Sequence, residues 1–332
     1  MNKSSIVLPR PWAQIEHGES EQSIRAPTEA EFVSVFGNKL GKASFIHTKY
    51  GNAAFYSLLP SGPAPADRKT PIDRVLFVHG VQTPALGLQP LASAVHTAFP
   101  YAHCVLVDLW GHGLSDTPIA PHSAAIFHGL IIELLGVLGW ERAHFVGYSF
   151  GGSTVATFAA RHTARLSSMV LIAPAGLLRA SELTELENSY IKGGEGLEEK
   201  AQEWVIEFLE GGQLVVPPDW RERAARGEVV AEAIRDWQMK NHQGHLPSVV
   251  GVVRDGGVFD RQPEFTAAAK TGIDNFSILG ELDPVCSEAA LNEIGMTDVA
   301  VVPQVGHGLV REKVPEVSTC IAQFWKRVEE GK

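Results

Sequence analysis

Gly147-Tyr148-Ser149-Phe150-Gly151 is the segment of this chain best suited to covalent chemistry. It has the form G-x-S-x-G, a pattern common by chance, so its surroundings decide its value. An apolar run at 143–146 precedes it and a small-residue run at 151–162 follows. The serine therefore stands where a strand turns sharply into a helix. Such a corner strains the serine backbone and crowds strand against helix, so its neighbours must be small; Gly147, Gly151 and Gly152 meet that demand. The turn also lifts the hydroxyl clear of the sheet, at the positive end of a helix, where developing negative charge is favoured. The competing reading is an ordinary corner with an incidental serine.

A serine hydroxyl is a weak nucleophile near neutrality. It needs a base in hydrogen-bond reach, and the base needs an orienting acid. Of the 13 histidines, His307 follows a late strand-like run, Val299–Val302, and sits between glycines in a tight loop. His162, His242 and His245 fall in helical or inserted segments. Asp283 follows the apolar run 276–279 and precedes Pro284, which pins the turn. Glu281, two residues away, competes for the role of acid. The loop after Leu166–Ile172 reads Ala173-Pro174-Ala175-Gly176 and holds no carboxylate, which favours Asp283. All three side chains would stand at the sheet edge where open α/β proteins build their sites.

A tetrahedral intermediate also needs two N–H donors. Phe150 offers one. The loop after Arg74–Val78 offers the other, with Val81 first and Gln82 second, and Gly80 lets the backbone approach a substrate. His79 reads as a histidine that holds this loop. The segment from Asp108 to Asp116 is glycine-rich but lacks G-x-G-x-x-G, G-x-x-x-x-G-K-[ST] and any Lys or Arg. It reads as a rigid turn with Asp108 and His112 hydrogen-bonded inside it. Trp110 can line the site or belong to the core. Gly80, Gln82, Trp110 and Tyr148 are the expected substrate contacts.

The elements that position these residues follow from the apolar pattern. Short runs at Arg74–Val78, His103–Val107, 143–146 and Leu166–Ile172 alternate with helical patterns at 89–99, 123–138 and 151–162. That rhythm predicts βαβ units and a parallel sheet buried on both faces. Runs at 43–50 and 53–59 predict a hairpin about Gly51-Asn52 and an antiparallel leading edge. The rhythm stops at Leu177 and returns with a strand at 276–279, a helix at 287–294, the strand Val299–Val302 and a closing helix at 314–329. The expected organisation is an N-terminal extension (1–42), polar and irregular, that either wraps the domain or moves freely. A first core part (43–177), a mostly helical cap (178–268) with Trp204, Trp220 and Trp237, and a second core part (269–332) follow.

Composition narrows the function classes. Asp and Glu (38) outnumber Lys and Arg (28), a formal charge of −10 that repels phosphate backbones, so no nucleic-acid partner is expected. Cys104, Cys286 and Cys320 are odd in number and far apart, which suits a reducing compartment and supplies no Cys-x-x-Cys metal site. Residues 1–20 lack the apolar core of a signal peptide, and no run approaches the ~20 apolar residues that span a bilayer. The expectation is a cytoplasmic protein that takes a small-molecule substrate, binds no membrane and uses no metal or other cofactor. Oligomeric state is left open.

Together, H-G after the third strand, D-x-x-G-H-G-x-S after the fourth, G-x-S-x-G after the fifth, G-x-x-D after the seventh and G-H-G after the eighth resemble the α/β-hydrolase superfamily, in its cap-bearing serine branch, over about residues 43–330. The resemblance implies an α/β-hydrolase fold with an eight-stranded, mostly parallel sheet and a cap inserted after the sixth strand. It implies Ser149 as nucleophile, His307 as base, Asp283 as orienting acid, and Val81 and Phe150 as oxyanion donors. A serine at 149 disfavours the members that carry a carboxylate nucleophile, epoxide hydrolases and haloalkane dehalogenases. The expected activity is cleavage of an ester or lactone of a small to medium apolar carbonyl compound. Alternatives on the same triad are a carbon–carbon bond hydrolase, a lyase, a peptidase and a slow-turnover ligand sensor.

Overall fold

The structure, a computed structural model, describes residues 6–12, 23–68 and 70–331. Eight strands form one sheet: β1 Ser44–Thr48, β2 Gly51–Leu58, β3 Arg74–Val78, β4 His103–Val107, β5 Ala143–Tyr148, β6 Leu166–Ile172, β7 Asp274–Gly280 and β8 Val299–Val302. Their spatial order is β8-β7-β6-β5-β3-β4-β2-β1. The β1–β2 and β2–β4 pairs are antiparallel and all others parallel.

The central strands are largely apolar because both faces are covered, with His144 and Ser168 the buried polar exceptions in β5 and β6. Side chains alternate across the sheet. Leu76 and Val78 of β3 enter one core with the helices Ala124–Val137 and Phe150–Arg161. Val75 and Phe77 enter the other with Gln89–Ala98 and Val314–Glu330. Mostly helical segments between β6 and β7 form a cap region: Glu185–Lys192, Glu198–Glu210, Trp220–Ala225, Ala231–Asn241 and His245–Gly251. Gln262–Ala269 follows and packs on Phe150–Arg161.

Two expectations need correction. The hairpin turns at Lys49-Tyr50, since Thr48 pairs with Gly51. Neither turn residue has positive φ; Gly51, at φ 117°, takes up the unusual conformation one residue later. Gly51 also leaves room for Asp116, whose Cβ would lie 2.9 Å from an added Cβ. The second correction concerns residues 1–42, of which 1–5 and 13–22 lie outside the described residues. The remainder is not irregular throughout. Thr28 and Glu31 form a capping box that starts the helix Glu29–Phe36. Phe32 and Phe36 of that helix pack on Trp237, and Phe36 on Trp220. Two cap tryptophans thus meet the N-terminal helix, while Trp204 stacks on Phe208. Further upstream, Arg10 grips Asp255 at 2.8 Å. Among the described residues no helix is long and apolar enough to cross a membrane.

Candidate active site

β5 passes into the helix Phe150–Arg161 through Ser149 alone, at φ 54° and ψ −120°. A non-glycine residue there is strained, and the surroundings must hold it. The Ser149 N–H donates to the Ile172 carbonyl at 2.9 Å, and the Ser149 carbonyl accepts from Gly152 and Ala175 at 2.9 and 3.0 Å. The glycines fit by necessity. A Cβ on Gly147 would lie 2.5 Å from the Gly151 carbonyl oxygen, and one on Gly151 would overlap the Val78 carbonyl.

The loops after β7 and β8 are bound edge to edge. Glu281 N–H donates to Val302 O and Leu282 N–H to Val305 O, each at 2.9 Å. Gly280 permits this approach, since a Cβ there would lie 2.5 Å from both the Gly306 and Val305 carbonyl oxygens. The result places His307 Nδ1 3.1 Å from each Asp283 carboxylate oxygen and His307 Nε2 2.9 Å from Ser149 Oγ. The Asp283 side chain is fully buried and also accepts the Val285 N–H at 2.9 Å. The His307 side chain is 31% exposed, so a ligand can reach it. Glu281 is turned away and accepts the Gln304 N–H. Tyr148 donates its hydroxyl to the His307 carbonyl at 2.9 Å and lies beside the imidazole. Burial raises its phenol above the usual range, against the opposing effect of Arg311.

Phe150 begins its helix, so its N–H has no intrahelical acceptor. No partner for the Val81 N–H occurs among the described residues. The second-choice donor fails: Gln82 N–H donates to His112 Nε2 at 3.0 Å. Gly80 touches the serine, since a Cβ there would lie 2.8 Å from Ser149 Cβ. Trp110 is placed in the core, 1% exposed, with its ring N–H on the Ile126 carbonyl. Asp108 accepts from Ala85 and Leu114 N–H groups and from the Tyr56 hydroxyl, and burial raises its carboxyl to about 6. His79 holds its loop as expected from its position, bonded to Gly80 O and Leu109 N. Sequence reasoning missed Gln238 of the cap, whose side chain is fully buried between the loops after β3 and β4. Nothing local marks a glutamine in a polar helix as buried. Among the described residues no group of three His, Cys, Asp or Glu side chains is set to hold a metal ion.

A family model described as alpha/beta hydrolase fold matches residues 73–248, just over half of the chain. An uncharacterized protein of Mycobacterium tuberculosis H37Rv is 27% identical over 227 residues, covering 68% of this chain and 55% of that protein. The chain thus spans about half the length of the mycobacterial relatives it matches. The 2-hydroxy-6-oxo-6-phenylhexa-2,4-dienoate hydrolase of Comamonas testosteroni is 36% identical over 74 residues, 22% of this chain and 26% of that protein. Among solved structures, an enol-lactonase from Burkholderia xenovorans LB400 superposes with a TM-score of 0.60 at 18% identity, covering 85% of this chain and all of that one.

Proposed function

The chain belongs to the alpha/beta hydrolase fold family, and from that premise we propose that it is a cap-bearing serine hydrolase of esters or lactones. The observation that carries this reading is the continuous hydrogen-bonded line from Asp283 through His307 to Ser149. Ser149 Oγ attacks the substrate carbonyl carbon while His307 Nε2 takes its proton. Asp283 holds the imidazole by Nδ1 and stabilises the imidazolium. The Phe150 and Val81 N–H groups receive the oxyanion. His307 returns the proton to the leaving alkoxide, an acyl-enzyme forms, and water activated by His307 releases the acid. In this reading residues 43–177 and 269–332 make the core and 178–268 the cap. The substrate is a small to medium carbonyl compound.

Ser149→Ala is expected to abolish turnover of p-nitrophenyl butyrate while circular dichroism stays that of the folded protein. A folded variant with unimpaired turnover refutes the mechanism. A second reading, carbon–carbon bond hydrolysis on the same residues, is favoured by the Comamonas relative, because the compound in its name contains no ester or amide bond. Comparing a β-diketone with the butyrate ester as substrates separates the two.

A further inference from the structure

We propose that Gln238, carried by the cap helix Ala231–Asn241, is a positioning residue for the oxyanion hole, acting with His112 to hold the backbone at Gln82, next to Val81. The inference rests on the hydrolase reading above and adds to it a link between cap and catalysis.

The loop after β3 is tied on each side of the Val81 N–H, at Gly80 O and at both polar backbone atoms of Gln82. His79 Nε2 accepts the Leu109 N–H at 2.9 Å, so its proton is on Nδ1, which donates to Gly80 O at 2.6 Å. His112 Nε2 accepts the Gln82 N–H at 3.0 Å, so its Nδ1–H donates to Trp110 O at 2.9 Å. Gln238 completes the set. Its Nε2 donates to Gln82 O at 2.6 Å, and its Oε1 accepts the Gly113 N–H at 2.7 Å. One side chain of the cap thus bridges the loops after β3 and β4.

Gln82 needs this support. It adopts φ 68°, a left-handed conformation that a residue with a side chain rarely takes. Such strain persists where the neighbours over-determine it. Gln238, His112 and Gln82 are all buried, so water cannot replace the bonds they share. Other cap contacts hold the Gly113 side in register. His245 Nδ1 meets Gly111 O at 2.8 Å, His242 Nε2 meets Ser115 O at 2.9 Å, and Ser248 Oγ donates to Trp110 O at 2.9 Å. An oxyanion donor is effective only if it is already aimed when charge develops. Gln238 therefore lets the docked cap aim the Val81 N–H.

The test is the rate at which Ser149 is phosphonylated by a fluorophosphonate, which needs no knowledge of the natural substrate. Serine oxygen bonds to phosphorus, the P–F bond breaks, fluoride leaves, and the serine proton passes to His307. The phosphoryl oxygen occupies the oxyanion position. Gln238→Leu is expected to lower the rate by about 10- to 100-fold, part of the 10²–10³ that a whole donor supplies. Gln238→Glu keeps the shape and guards against a misfolded leucine variant. Its protonated form can donate to Gln82 O and its anion cannot. Its rate relative to wild type should therefore fall between about pH 6 and about pH 9. A rate within about two-fold of wild type for both folded variants, with no added pH dependence, overturns the inference. No labelling of the wild-type protein overturns the hydrolase reading instead.

Discussion

At the scale of single residues, the geometry around Asp283 separates it from its neighbour. Asp283 is buried and bonded to His307, whereas Glu281 is spent on a backbone N–H. Asp283→Asn is expected to lower kcat on p-nitrophenyl butyrate by about 10⁴-fold, the effect of losing the correct imidazole tautomer. Glu281→Gln should stay near wild type in the same assay, and equal losses would reverse the assignment. Gly280→Ala tests the approach of the two loops. Its methyl would meet the Gly306 and Val305 carbonyls, driving the Asp283 and His307 loops apart. A misplacement of about 1 Å costs on the order of 10²-fold, so kcat should drop by that much. Ser149, Asp283 and His307 stand out in the sequence because each follows a strand and has Gly or Pro within two positions of it. The fate of the Gln82 N–H was not legible, because its acceptor, His112, comes from a different loop.

At the scale of elements, strand and helix periods were readable wherever burial is uniform along an element. The helix Glu29–Phe36 was also legible in principle, through Thr28-x-x-Glu31 before an apolar pair. It escaped a composition-based reading because its neighbours are polar. Thr28→Ala removes the side-chain arm of the capping box, the Glu31 N–H to Thr28 Oγ1, while the Thr28 N–H keeps its bond to Glu31, and should lower stability by about 1 kcal/mol. A urea midpoint equal to wild type would show that the helix does not unfold with the rest. The hairpin escaped for a different reason. Gly51-Asn52 resembles a tight turn, but Gly51 is required inside the strand pair, where Asp116 approaches it.

At the scale of the whole molecule, burial keeps many histidines neutral. It lowers His79, His122 and His144 to about 4, His128 and His245 to about 3, and His112 well below its usual value. In the unfolded chain each protonates near pH ~6.5. Below that pH the unfolded state binds protons that the folded state does not, so stability falls as pH drops from about 6.5 toward about 4. Each group contributes up to about 1.4 kcal/mol per pH unit. Asp108 and Glu210 act in the opposite sense, since burial raises each carboxyl so that it takes up a proton in the folded state first, but they are two groups against these six. The urea midpoint should be lower at about pH 5 than at about pH 7; equal midpoints would contradict burial of these rings. By itself the sequence determined the sheet and its flanking helices, because apolar periodicity and glycine placement act through near neighbours. It also singled out three side chains at strand ends, because strand direction sends those ends to one edge. Only the tertiary structure decided which N–H groups near Ser149 are taken and that a cap glutamine is buried against Gln82. Those contacts join residues as far as 156 positions apart, and no local preference of either partner encodes them.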